Sequence, residues 1–140
     1  MRALTAFASA ILLIAAAAPV TAHHSFAAEY DANKPVTLHG SVVRVEWTNP
    51  HARFYIDVKD ADGSVATWNL ELASPNVLVR QGWTRNSLKI GDEITVTGSS
   101  AKDGSKMANA RNVTLATGKR VFAGSPAGDP GAAPGSEAAK

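Results

Sequence analysis

The chain has 140 residues, no cysteine, and 14 Lys and Arg against 12 Asp and Glu. A chain this short buries one modest core, and here no disulfide can staple it. The basic excess is slight and scattered, which gives no reason to expect a nucleic-acid partner.

Residues 1–22, MRALTAFASAILLIAAAAPVTA, have the layout of a secretory signal: Arg2 at the start, an apolar middle and a small-residue end. Val20 and Ala22 suit a signal peptidase, so cleavage is expected to leave His23 as the first mature residue. The apolar run from Ala6 to Ala18 falls short of the roughly 20 residues of a stable membrane span, and Pro19 interrupts it. The expected address is periplasmic. Without Arg2 the count is 13 bases against 12 acids, a net charge of +1.

Residues 23–35, HHSFAAEYDANKP, show no periodicity and are expected to form an N-terminal arm. From Val36 the pattern is β. VTLHGSVVRVEW is rich in β-branched residues, with Gly40 marking a bulge or sharp bend. TNPH is a turn, because Pro50 cannot donate to a ladder. ARFYIDVKD alternates, placing Phe54, Ile56 and Val58 on one face and Arg53, Tyr55 and Asp57 on the other. ADG is a hairpin signal, and SVATWNLELA alternates again, with Trp68, Leu70 and Leu72 opposite Thr67, Asn69 and Glu71.

The period then changes. Ser74-Pro75 reads as a cap followed by proline at the first helical position, and Gly82 as the stop. A turn at Gly91-Asp92 launches a strand over Glu93 to Thr97 that ends at glycine. A last strand runs through MANARNVTLA, and TGKRVF closes with a turn and a short added strand. Residues 124–140 are mainly Gly, Pro, Ala and Ser, lack large apolar side chains, and are expected to be a disordered tail. Residues 36–123 are therefore the domain. Three strands, a short helix and a closing pair match an all-β fold: the five-stranded OB-fold-like Greek-key barrel, with a small β-sandwich as the alternative.

No nucleophile elbow, phosphate loop or Cys-His pair is present, so an enzyme is not expected. Asp57, Asp60 and Asp62 read as solvated turn residues, since calcium-loop spacing and its terminal glutamate are missing. The histidines say more. Cleavage after Ala22 would give His23 a free α-amine and an imidazole, a bidentate nitrogen chelate suited to Cu(II). His24 could chelate instead through the amine, the intervening amide and its ring, and His51 in the NPH turn is the third candidate donor. His39, early in the first strand, reads more readily as a sheet residue. Two histidines on an arm also bind metal weakly without design.

A second candidate is the polar face of the first three strands, where Arg44, Glu46, Asn49, Tyr55, Asn69 and Glu71 would meet a small ligand or an envelope protein. OB-folds commonly bind across this sheet. Trp47 and Trp83 read as core or rim packing.

The stretches AHHSFAAEYD, GSVVRVEWTNPHARFYIDV, WNLELASP and GWTRNSLKIGDEITVTG together resemble an uncharacterised family of small exported bacterial proteins, domain of unknown function 6152. The resemblance covers nearly all of residues 22–122. It implies a periplasmic address and a shared pattern of His23, His24, Asn49, Pro50, His51, Trp68 and Glu71. A looser likeness is to histidine braces, in which a first-residue amine and ring hold copper with another histidine. Here His23 matches the first residue and His51 the partner.

These readings converge on a periplasmic protein binding Cu(II), with Zn(II) second, through His23, His24 and His51, with Glu71 or Glu46 orienting a ring. The alternative is a metal-independent OB-fold module that binds across the sheet.

Overall fold

Tyr30–Glu46 forms one strand of 17 residues, β1, that belongs to both halves of the molecule. Its first part pairs antiparallel with β4 (Glu93–Ala101), and its last part, from Ser41 to Glu46, pairs with β2 (Arg53–Lys59). The handover falls at Gly40. A Cβ there would sit 2.3 Å from the main-chain carbonyl oxygen of Asp57, so only glycine admits the close approach. The bulge itself comes slightly later, between Val42 and Arg44, and turns both Val43 and Arg44 outward.

The computed structural model describes residues 26–124. The expectations for the signal segment, for His23 and His24, and for the tail from 125 onward lie outside the described residues. The chain begins with one helical turn, α1 (Phe26–Glu29), and continues through β1, β2, β3 (Val65–Glu71), α2 (Pro75–Arg80), β4, β5 (Met107–Leu115) and β6 (Arg120–Phe122). The strands follow the order β3-β2-β1-β4-β5-β6, and a parallel pairing of Asn69–Glu71 with Met107–Asn109 closes five of them into a ring. This is the OB-fold barrel that the element order predicts.

Local chemistry explains the elements. Alternation puts Phe54, Ile56, Leu70, Ile94 and Val96 inside, each at most 1% exposed. Helix α2 starts where Ser74 Oγ accepts from the Val77 amide, with Pro75 at its first position, and Gly82 takes φ of +90° just beyond its end. Of its three apolar residues only Leu78 is buried; Val79 faces solvent. The hairpin at Asp60–Ser64 is closed by the Asp60 amide on the Ser64 carbonyl.

Three boundaries differ from the sequence reading. The expected arm over 23–35 is partly sheet, because β1 starts at Tyr30, with Tyr30 opposite Ala101 and Pro35 opposite Ser99. Lys102 holds its start: the Lys102 amide donates to the Glu29 carbonyl, and its side-chain Nζ donates to the Ala27 carbonyl. Strand β4 also runs on past Gly98 to Ala101. Gly98 is not its end; it lies within the strand, where the register shifts and a Cβ would meet the Asn109 carbonyl oxygen at 2.0 Å. At the other end Gly124 still packs, its carbonyl accepting from Gln81 Nε2.

Candidate functional site

The outer face of β1, β2 and β3 is built by cross-strand register. Arg44 lies opposite Tyr55, Glu46 opposite Arg53, Tyr55 opposite Asn69, and Arg53 opposite Glu71. Outward side chains at these positions are neighbours, and they pair. The Arg44 guanidinium stacks 3.6 Å above the Tyr55 ring and contacts Glu46 at 3.4 Å, while the Tyr55 hydroxyl donates to Glu46 at 3.3 Å. One position along, Arg53 donates through Nη1 to Asn69 Oδ1 at 3.2 Å and through Nη2 to Glu71 Oε2. Thr67 donates to Asp57 at 2.6 Å. Five of the six residues expected to form a ligand face thus fall into two contact groups. Asn49 is exposed in the β1–β2 turn, ahead of a cis bond to Pro50.

Glu71 is 7% exposed, unusual for a carboxylate; it pairs with Arg53 and lies close to the buried Tyr30 hydroxyl. Tyr30, 1% exposed, lies where the start of β1 meets this end of the barrel, with Phe26 at 5.7 Å between ring centroids. Burial, then the carboxylate of Glu71, holds the Tyr30 hydroxyl well above the usual tyrosine pKa, while Arg53 pulls the other way. The hydroxyl itself makes no hydrogen bond of acceptable geometry among the described residues. Sequence reasoning placed Tyr30 in an arm. The one signal it left is a large ring among small and polar neighbours.

His51 lies in the segment joining β1 to β2, half-buried, its Nδ1 3.2 Å from the Leu72 carbonyl oxygen. A carbonyl only accepts, so Nδ1 carries the proton, and in the neutral ring the lone pair is on Nε2. The flanking backbone is tied down as well: the Ala52 amide donates to Ala73 and the Leu72 amide to Ala52. His51 is thereby fixed against Leu72, the residue that follows Glu71 at the end of β3. His39 is elsewhere, exposed beside β4, with Thr95 Oγ1 at 3.2 Å and Glu93 at 3.8 Å. Among the described residues no three His, Cys, Asp or Glu side chains converge as a metal site would require. The two other histidines of the expected set, His23 and His24, precede the described chain.

The tryptophans are structural. Trp83 is buried and Trp47 and Trp68 pack against the core, with Lys106 Nζ 5.2 Å from the Trp68 ring centroid. Among the described residues no helix is long and apolar enough to cross a membrane.

Residues 10–110 match the model of a family of unknown function, DUF6152. The chain belongs to that family. Its description names no activity, so the family carries no assignment of the pairs described above. No curated protein matches the chain. Among solved structures, the chain is similar to the mitochondrial single-stranded DNA binding protein Rim1 of S. cerevisiae. The identity is 10%, the TM-score 0.47, and the match covers 59% of this chain and 93% of that one.

Proposed function

We propose that the protein is an exported, non-catalytic binding protein of the periplasm that holds Cu(II), and Zn(II) less tightly, at a terminus freed by removal of residues 1–22. His23 supplies its amine and ring, and His24 and His51 supply further nitrogens. The observation that carries this reading is the His51 Nδ1 bond to the Leu72 carbonyl. Metal-binding imidazoles are commonly fixed in this way, one nitrogen donating to a carbonyl so that the other presents its lone pair. The docking of Tyr30 adds to it. Tyr30 lies against Glu71, whose chain neighbour Leu72 holds His51, so the start of the described chain is at the same end of the barrel. Only two residues, His24 and Ser25, separate Phe26 from His23, three residue steps that reach at most about 10 Å.

Titration of Cu(II) into the mature protein tests this reading, against the same protein carrying one extra residue before His23. The mature form is expected to bind at least tenfold more tightly, because the extension removes the amine from the imidazole's own residue. Equal affinities overturn it.

A further inference from the structure

Strand β3 is covered on one side along its whole length and on the other only in part. Toward β2 the ladder runs from Val65 to Glu71. Toward β5 it covers only Asn69 to Glu71. Backbone directions alternate along a strand, and two bonds fix the phase. The Ser64 carbonyl accepts from Asp60, so Ser64 faces β2, whereas the Asn69 amide donates to the Lys106 carbonyl, so Asn69 faces β5. Val65 and Thr67 therefore point their amides and carbonyls the same way as Asn69, past the start of β5. No strand among the described residues takes them up. Both residues are exposed, Val65 to 61%. An open edge of this kind is a template for another strand.

Charge marks the ends of the edge and selects its occupant. Asp60 and Asp62 lie at the hairpin tip that begins it, and Lys106 at the point where β5 ends it. We propose that this edge pairs antiparallel with the same edge of a second copy, Val65 of each copy opposite Thr67 of the other. That register, centred on Ala66, is the two-fold arrangement that uses both outward-facing residues of each strand, giving four main-chain hydrogen bonds. It also lays the hairpin tip of each copy, with Asp60 and Asp62, beside Lys106 of the other, so the charge contact is made twice. Val65 and Thr67 form β-branched cross-strand pairs on the outer face. The contact is isologous and closes at two copies. It is short, so the dimer is weak and concentration-dependent. The inference is independent of any metal.

Sedimentation of the purified protein across concentrations from micromolar to millimolar tests it. Expected are a reversible monomer–dimer equilibrium, a dimer weakened at least tenfold by Lys106→Glu, and weakening by salt. Thr67→Pro abolishes pairing without removing a main-chain bond to β2, because the Thr67 amide faces away from that strand; Thr67→Val, which loses only the side-chain bond to Asp57, is its control and should still pair. Amide hydrogen exchange supplies a readout that needs no variant: the Val65 and Thr67 amides should slow as the concentration rises. A protein monomeric at millimolar concentration overturns the proposal, as does a dimer in which those two amides stay fast. A dimer indifferent to Lys106→Glu overturns the register.

Discussion

Arg53 on β2 and Glu71 on β3 face each other across the sheet and pair through Arg53 Nη2 and Glu71 Oε2. The carboxylate is the more buried partner, its side chain 9% exposed against 27% for the arginine. Removing one member of a buried pair costs more than the pair itself contributes, because the other is left unmatched. Glu71→Ala strands a cation that solvent partly reaches and that Asn69 still accepts, so the loss is expected to be about 2 kcal/mol, below the fully buried range. Glu71→Gln keeps an acceptor and should cost roughly half as much. Urea unfolding of both variants checks the order; an alanine variant as stable as the parent would mean that the pair is ornamental.

The buried tyrosine beside this pair gives a pH dependence with a definite sign. The Tyr30 pKa in the folded protein is raised above the ordinary value of 10.0, first by burial and then by Glu71. Below pH 10 both states keep the proton and the tyrosine adds no slope. Above it the unfolded chain loses the proton first, so stability falls as pH rises toward the folded pKa. Tyr30→Phe removes this part of the alkaline loss. It also removes a buried hydroxyl without a good partner, so at pH 7 it should be at least as stable as the parent. Stability against pH from 8 to 11, parent beside Tyr30→Phe, is the measurement, and parallel curves would refute it.

What could be read in the sequence, and what could not, divides along the range of the interactions. Phe54, Ile56 and Leu70 were legible because burial follows a local period, and the Ser74-Pro75 start because capping is local chemistry. Tyr30 was not. Its place in the sheet depends on Ala101, and no spacing within residues 23–35 reports a partner so distant in the chain. Gly98 misled for the same reason: locally it reads as a stop, while the reason for it is the Asn109 carbonyl on another strand. On the polar face, alternation gave the correct side for Arg44, Tyr55, Asn69 and Glu71, but the grouping into Arg44–Glu46–Tyr55 and Arg53–Asn69–Glu71 came only from the register.

Gly98 supports a sharp prediction about the barrel. A methyl at this position would come within 2.0 Å of main chain, which cannot move aside as a side chain can. Gly98→Ala must push β4 from β5 at the point where the register shifts, at a cost of about 3 kcal/mol or more, at the high end for single substitutions. Gly63→Ala is the control, since nothing lies within 4 Å and the strain comes only from a φ of +86°. It should cost about 1 kcal/mol. Thermal unfolding ranks the two, and reversed ranks would contradict the close approach.

The histidines make the last prediction, because the structure gives two of them different surroundings. His51 has its tautomer set by the Leu72 carbonyl and its backbone anchored between Ala73 and Leu72; His39 is exposed on the barrel wall beside Thr95 and Glu93. If copper is held by the freed terminus together with His51, His51→Ala removes one nitrogen from the coordination sphere and weakens Cu(II) binding roughly tenfold or more, in line with about 1.4 kcal/mol or greater per lost ligand. His39→Ala should change neither affinity nor spectrum. Nitrogen hyperfine structure in the Cu(II) paramagnetic resonance spectrum counts the ligands directly, so one fewer coupled nitrogen in His51→Ala, with His39→Ala unchanged, is the expected pattern. An unchanged nitrogen count in His51→Ala would confine the metal to the terminal residues, since the barrel would then contribute no ligand.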